Sequence, residues 1–110
     1  MNLKNNIQLI GNVGELPTVT SVGESSKVAR ISLATNRSYK DAEGNKQTAT
    51  QWHTVEAWGH LAELAENYID KGKEIAIGGE LQYNTYEDSE GVKRTKAFIR
   101  ASEIQLLGSK

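Results

Sequence analysis

A single stretch of this 110-residue chain spaces its apolar residues for a helix, while its other apolar segments alternate. In residues 60–71 (HLAELAENYIDK), Leu61, Leu64, Ala65 and Tyr68 recur at i, i+3, i+4 and i+7, and Gly72 follows as a stop. The chain is long enough for one hydrophobic core and too short for two comfortable ones. One helix among strands therefore restricts it to a small β architecture carrying a helical plug, a single domain over residues 1–110.

The strands follow from period-two patterning. Residues 7–13 (IQLIGNV) are apolar and β-branched and run into a turn at Gly14 and Pro17. A loop with Gly23, Ser25 and Ser26 comes next. Residues 27–35 then place Ala29, Ile31, Leu33 and Thr35 on one face and Val28, Arg30, Ser32 and Ala34 on the other. A polar excursion over residues 36–51, with Asp41, Gly44 and Asn45 at its tip, leads into a third strand at residues 52–58. After the helix, residues 74–83 alternate Ile75, Ile77 and Leu81, and Gly78-Gly79 marks a bulge where a barrel wall bends. A second polar tip at residues 87–93 precedes a last strand at about residues 95–107.

The order is strand, strand, strand, helix, strand, strand. An all-antiparallel set of five strands on so short a chain must protect its edges, and closure into a small barrel does so. The expected fold is all-β with one helix: a five-stranded OB-fold Greek-key barrel with the helix between strands 3 and 4. No internal repeat, low-complexity stretch or linker is evident.

Several function classes drop out. No apolar run is long enough to span a membrane, and the N-terminus lacks the basic and apolar segments of a secretory signal, so a cytoplasmic location is expected. Without cysteine there is no disulfide, thiolate metal site or thiol nucleophile. The two histidines, His53 and His60, are not at helical ligand spacing. Gly11 and Gly14 lack the Gly-Lys-Ser/Thr ending of a P-loop and read as turn chemistry, and no serine stands in a nucleophile elbow. No catalysis and no cofactor are expected. Thirteen Lys and Arg against fourteen Asp and Glu leave a net charge of −1, not the basic excess of a typical nucleic-acid binder, so any such function must rest on placement.

The third strand supplies that placement. Alternation puts His53, Val55 and Ala57 on one face and Trp52, Thr54, Glu56 and Trp58 on the other, so both tryptophans of the chain share the polar face. A base-stacking platform requires this arrangement, since every base offers a π-face and stacking contributes roughly 1–3 kcal/mol per base without reading sequence. The same pattern also suits a face packed on a neighbouring subunit, or a bulge that turns one Trp inward. Tyr39 and Tyr86 stand at the bases of the polar excursions, near Arg37, Lys40 and Lys46 in the first and Lys93, Arg94 and Lys96 in the second. Acids at Asp41, Glu43, Glu87, Asp88 and Glu90 weaken that field. Arg30 and Arg100, on strands, are further candidate phosphate contacts or rim cations.

The stretches NNIQLIGNVG, VARISLAT, QWHTVEAWGHLAELAENYIDKG and IGGEL, with the spacing between them, resemble the bacterial single-stranded-DNA-binding protein family over nearly the whole chain. The resemblance implies sequence-tolerant binding of single-stranded DNA in replication, recombination and repair, a homotetramer and nucleoid association. Its stacking aromatics fall on Tyr39, Trp52, Trp58 and Tyr86, and its tetramer-interface histidine on His53. Thr20, Asn84 and Thr85 stand where better-known members carry Arg or Lys, which implies fewer phosphate contacts. Familiar members continue into an acidic tail that recruits replication and repair proteins. The sequence stops at Lys110, as either a short, tail-less member or a shortened piece of a longer chain would, which leaves such recruitment open. An OB-fold protein-interaction module of a replication accessory complex, or an RNA-binding relative, fits the same residues less closely.

Overall fold

A computed structural model describes residues 4–23 and 26–108; Ser25 of the expected loop and the Ser109-Lys110 end lie outside the described residues. The elements are β1 (Ile7–Val13), β2 (Thr18–Val22), β3 (Ser26–Lys40), β4 (Lys46–Trp58), α1 (His60–Tyr68), β5 (Glu74–Glu87) and β6 (Lys93–Leu106). The sheet runs β1-β5-β6-β4-β3-β2, and a second pairing of β1 with β3 closes it. Five strands therefore form an OB-fold barrel, as expected, and β2 attaches to β3 outside the ring.

That sixth strand moves the helix to between the fourth and fifth strands in chain order. Residues 18–22 (TVTSV) gave no sequence signal because four of the five are exposed and only Val19 packs against the core. Main-chain pairing with β3, from Thr18–Arg30 to Val22–Ser26, makes it a strand.

One pairing departs from the all-antiparallel expectation. β4 and β6 run parallel, with only Val55–Ile99 and Glu56–Arg100 in register. Up and down cannot alternate around a ring with an odd number of members, so a closed five-stranded barrel must contain a parallel neighbour pair. The slanted hydrogen bonds of a parallel ladder are slightly weaker per residue. Here the ladder is also short.

The core forms where alternating faces meet inside the ring. Ile31, Leu33, Val55, Ile75, Ile77 and Ile99 are buried there, and Ala62, Ala65 and Ile69 bring the helix onto them. Small alanines let α1 approach β3, β4 and β6 closely. Leu61 and Leu64 pack at the margin, and Tyr68, expected on the packing face, is exposed. The helix stops at Tyr68 rather than Lys71 because the next turn docks on β1. Gly72 N–H donates to the Val13 carbonyl at 2.7 Å, and Val13 N–H donates to the Lys73 carbonyl at 2.9 Å. Gly72 has φ 86°, a conformation that suits glycine. No helix of the described residues is long and apolar enough to cross a membrane.

Two glycines permit the curvature. A side chain at Gly11 would strike the Ala34 carbonyl where β1 closes on β3, so Gly11 belongs to a strand and not to a turn. A side chain at Gly79 would strike the Arg100 carbonyl, and the expected bulge is present as a register shift between Gly78 and Gly79.

Both polar excursions are largely strand. β3 extends to Lys40 and β4 starts at Lys46, while β5 extends to Glu87 and β6 starts at Lys93. These ends form two-stranded arms, mostly exposed, that rise from the barrel. With little buried on either face, they lack the alternation by which a strand is recognised.

Candidate nucleic-acid interface

The outer surface of β4 carries Trp52, Thr54, Glu56 and Trp58, while Val55 and Ala57 are fully buried on the inner side. Trp52 is 61% exposed. Its indole lies against Gly14, where any side chain would collide with the ring, so the end of β1 serves as a shelf under one edge of the platform. Trp58 is half-buried, registers with buried Val28 on β3, and has the Arg100 guanidinium 5.4 Å from its ring centre. That spacing is cation–π contact.

On β6 the residues of the same pleat are Arg94, Lys96, Phe98 and Arg100, facing Tyr86, Asn84, Gln82 and Glu80 of β5. Beyond the two parallel pairs β4 and β6 part. A cleft of about 500 Å³ lies along the gap, lined by Trp52, His53 and Thr54 from β4, Lys96, Phe98 and Ile99 from β6, and Ile7, Leu9 and Leu81 from β1 and β5. Phe98 is an aromatic that the sequence reading passed over. Its parity with Lys96 and Arg100 was the available signal, but only the tertiary seam puts it in the same cleft as Trp52.

The four expected aromatics do not share one pleat. Trp52 registers with Ala34, whereas Tyr39 continues the parity of Leu33, Thr35 and Arg37 and so stands on the opposite side of the β3–β4 ribbon. The Arg37 guanidinium lies 5.9 Å from the Tyr39 ring centre. His53, registered with Leu33, is half-buried, its Nε2 2.9 Å from Thr35 Oγ1.

The expected cations also divide. Lys40 and Lys46 face each other on the pleat of Trp52, a like-charged cross-strand pair at the tip of the first arm. In the second arm Lys93 faces Glu87, and Arg94 Nε donates to Asp88 Oδ2 at 2.7 Å. Arg30 Nε lies 3.5 Å from Glu56 Oε2. Among the described residues three ion pairs form, and none includes Lys40, Lys46 or Lys96.

Contrary to the expectation of no internal repeat, the two arm tips repeat one another. Residues 41–46 read DAEGNK and residues 88–93 read DSEGVK, each with a tyrosine two positions before the aspartate, Tyr39 and Tyr86. In the first tip Asp41 Oδ1 accepts from the Glu43 and Asn45 amides, at 2.9 Å each, and Oδ2 accepts from Gln47 Nε2 at 3.2 Å. In the second, Asp88 Oδ1 accepts from the Glu90 and Val92 amides at 2.9 and 3.0 Å, and Arg94 takes the place of Gln47. Gly44 and Gly91 hold the positive φ, 84° and 80°, that closes each turn. The Asn45 amide contributes most to holding the Asp41 carboxyl below its ordinary pKa, and Arg94, then the Val92 amide, do the same for Asp88.

Known proteins resemble the chain in sequence and fold. Residues 4–107 match the sequence profile of the Single-strand binding protein family. Similar relatives include the single-stranded DNA-binding protein of Xanthomonas campestris pv. campestris, 39% identical over 106 residues, or 96% of this chain and 62% of that one. Single-stranded DNA-binding protein 1 of Chlorobaculum tepidum is 36% identical over 107 residues, 96% of this chain and 66% of its own. The chain thus spans about two-thirds or less of these relatives. Among solved structures, the Plasmodium falciparum SSB in complex with ssDNA superposes with a TM-score of 0.85 and 28% identity, covering 98% of this chain and all of that one. The chain belongs to the single-strand binding protein family.

Proposed function

We propose that this chain binds single-stranded DNA with little sequence preference, stacking bases on Trp52, Trp58 and Tyr86 along the outer surface and on Tyr39 across the first arm. The observation that carries the reading is Trp52: a large ring left 61% exposed, resting on Gly14 and opening onto the cleft shared with Lys96 and Phe98. An apolar ring in water is unfavourable unless something covers it, and a base is a flat partner that does so. Lys40, Lys46, Lys93 and Lys96, with Arg37 and Arg94, supply counter-charge along the strand, Lys93 and Arg94 less so for their carboxylate neighbours. Arg30 and Arg100 belong to the same surface but are engaged with Glu56 and Trp58.

The relation to the Plasmodium falciparum protein supports this reading, because that protein was solved with ssDNA and matches the chain over almost its whole length. The reading includes a single domain that acts by binding and not by catalysis, and that protects exposed strands during replication, recombination and repair in the cytoplasm, at the nucleoid. It also includes assembly into a homotetramer with His53 near the contact. Titrating oligo-dT, duplex DNA and oligo-U while following Trp emission tests it. Quenching by oligo-dT and not by duplex is expected; the absence of both quenching and a mobility shift with oligo-dT removes the assignment, and stronger quenching by oligo-U redirects it to RNA.

A further inference from the structure

The only buried charged side chain among the described residues is on the outer surface, not in the core. Glu56 is 8% exposed and lies on the pleat of Trp52 and Trp58. Register sets it in a row across four strands: Arg30 on β3, Glu56 on β4, Arg100 on β6 and Glu80 on β5. The signs alternate along the row and sum to zero. Arg30 Nε is 3.5 Å from the Glu56 carboxylate, and Arg100, the neighbour on the other side, lies over Trp58. Glu80 accepts from Gln82 Nε2 at 3.2 Å.

Desolvating a carboxylate is costly unless opposite charge flanks it. Two arginine positions flank Glu56, so the site is built to keep an anion within the surface that the proposed strand would cross. We propose that Glu56 is a resident competitor of the phosphate backbone: it holds Arg30 in place of DNA phosphate, with Arg100 next in register and held over Trp58, and so sets how steeply binding depends on salt. This rests on the reading of the chain as a single-stranded-DNA binder. A phosphate approaching Arg30 meets a carboxylate already in place and buried, which it must displace and which repels it. Arg30 then contributes little counter-ion release, and stacking carries the affinity.

Each phosphate newly neutralised on a single strand steepens the slope of log K against log salt by about 0.7. Glu56→Gln keeps the shape and removes the charge. It is expected to steepen the slope for oligo-dT by about 0.7 and to tighten binding roughly ten-fold near 50 mM salt. Glu56→Val, which replaces the buried carboxylate with a strand-favouring apolar group, is expected to do the same and covers the case in which the glutamine variant folds poorly. Adding Arg30→Gln to Glu56→Gln should return about 0.7 of the gained slope. An unchanged or shallower slope in thermally stable Glu56 variants overturns the proposal, as does weaker binding at every salt concentration. The unsubstituted protein is titrated first: its failure to bind oligo-dT removes the function on which the proposal rests, whereas its binding with no response to Glu56 removes the proposal alone.

Discussion

Trp52 and Gly14 show how one residue's role depends on another remote in sequence. Alternation in residues 52–58 was enough to put Trp52 on the polar face, but its support comes from a glycine nearly forty positions earlier. A methyl at Gly14 would overlap the indole, and Gly14 does not adopt the positive φ that would by itself exclude alanine. Gly14→Ala should therefore tilt Trp52 off its shelf, shifting its emission and weakening oligo-dT binding, with little change in melting temperature. Trp52→Ala removes the platform and should cost roughly 1–3 kcal/mol of binding free energy. The aspartates of the arm tips make a pH prediction. Both carboxyls are held below their unfolded pKa, so the stability they contribute is present above the ordinary carboxylate range and is lost as pH falls through the lowered folded value. Relative to the intrinsic exchange rate at each pH, protection of the Glu90 and Val92 amides should persist through the ordinary range and fall only below it, whereas Asp88→Ala should remove it at neutral pH.

At the scale of elements, burial decided what was readable. β1 was expected at Ile7–Val13 and is found there, because its buried and exposed positions alternate. β3 and β4 were readable only where they line the core. Leu33, fully buried in β3, is the test of that part: Leu33→Ala should destabilise the protein by about 2–5 kcal/mol in thermal or denaturant unfolding. The exposed halves of the same strands read as loop, since nothing on either face is hidden from water. They are strands because of their cross-strand ladders and the matched aspartate tips. The repeat DxEGxK was visible as letters, but its meaning needed the amide contacts that make each tip the same turn. Tyr39 and Tyr86 thus occupy equivalent places on two arms, although Tyr39 stands on the pleat opposite Trp52.

For the whole molecule, an odd number of strands in a closed ring has a functional consequence. The required parallel pair falls between β4 and β6, is only two residue pairs long, and leaves the cleft in which Trp52, Lys96 and Phe98 meet. Charge is distributed just as unevenly. With a net charge of −1, an Arg-Glu-Arg-Glu row on the outer surface and Arg94 tied to Asp88, few cations are left to trade counter-ions for phosphates. The salt dependence of oligo-dT binding should accordingly be shallower than that of a strongly basic binder, as measured by fluorescence titration across a range of salt.

Local period was enough to identify the barrel, the helix start, the Gly78-Gly79 bulge and the Trp-bearing strand, because inward and outward positions differ residue by residue along one segment. The family was legible as a resemblance of motif letters and their spacing, not of period. β2, the arms, the parallel seam, the place of Phe98 in the cleft and the partners of Glu56 were not, because each depends on which distant strand lies alongside. Trp52 and Trp58 were set on one surface by sequence. What surrounds them, a glycine shelf, an arginine and a buried carboxylate, was decided by ring closure, which joins β1 to β3 and β4 to β6 across separations that no local pattern spans.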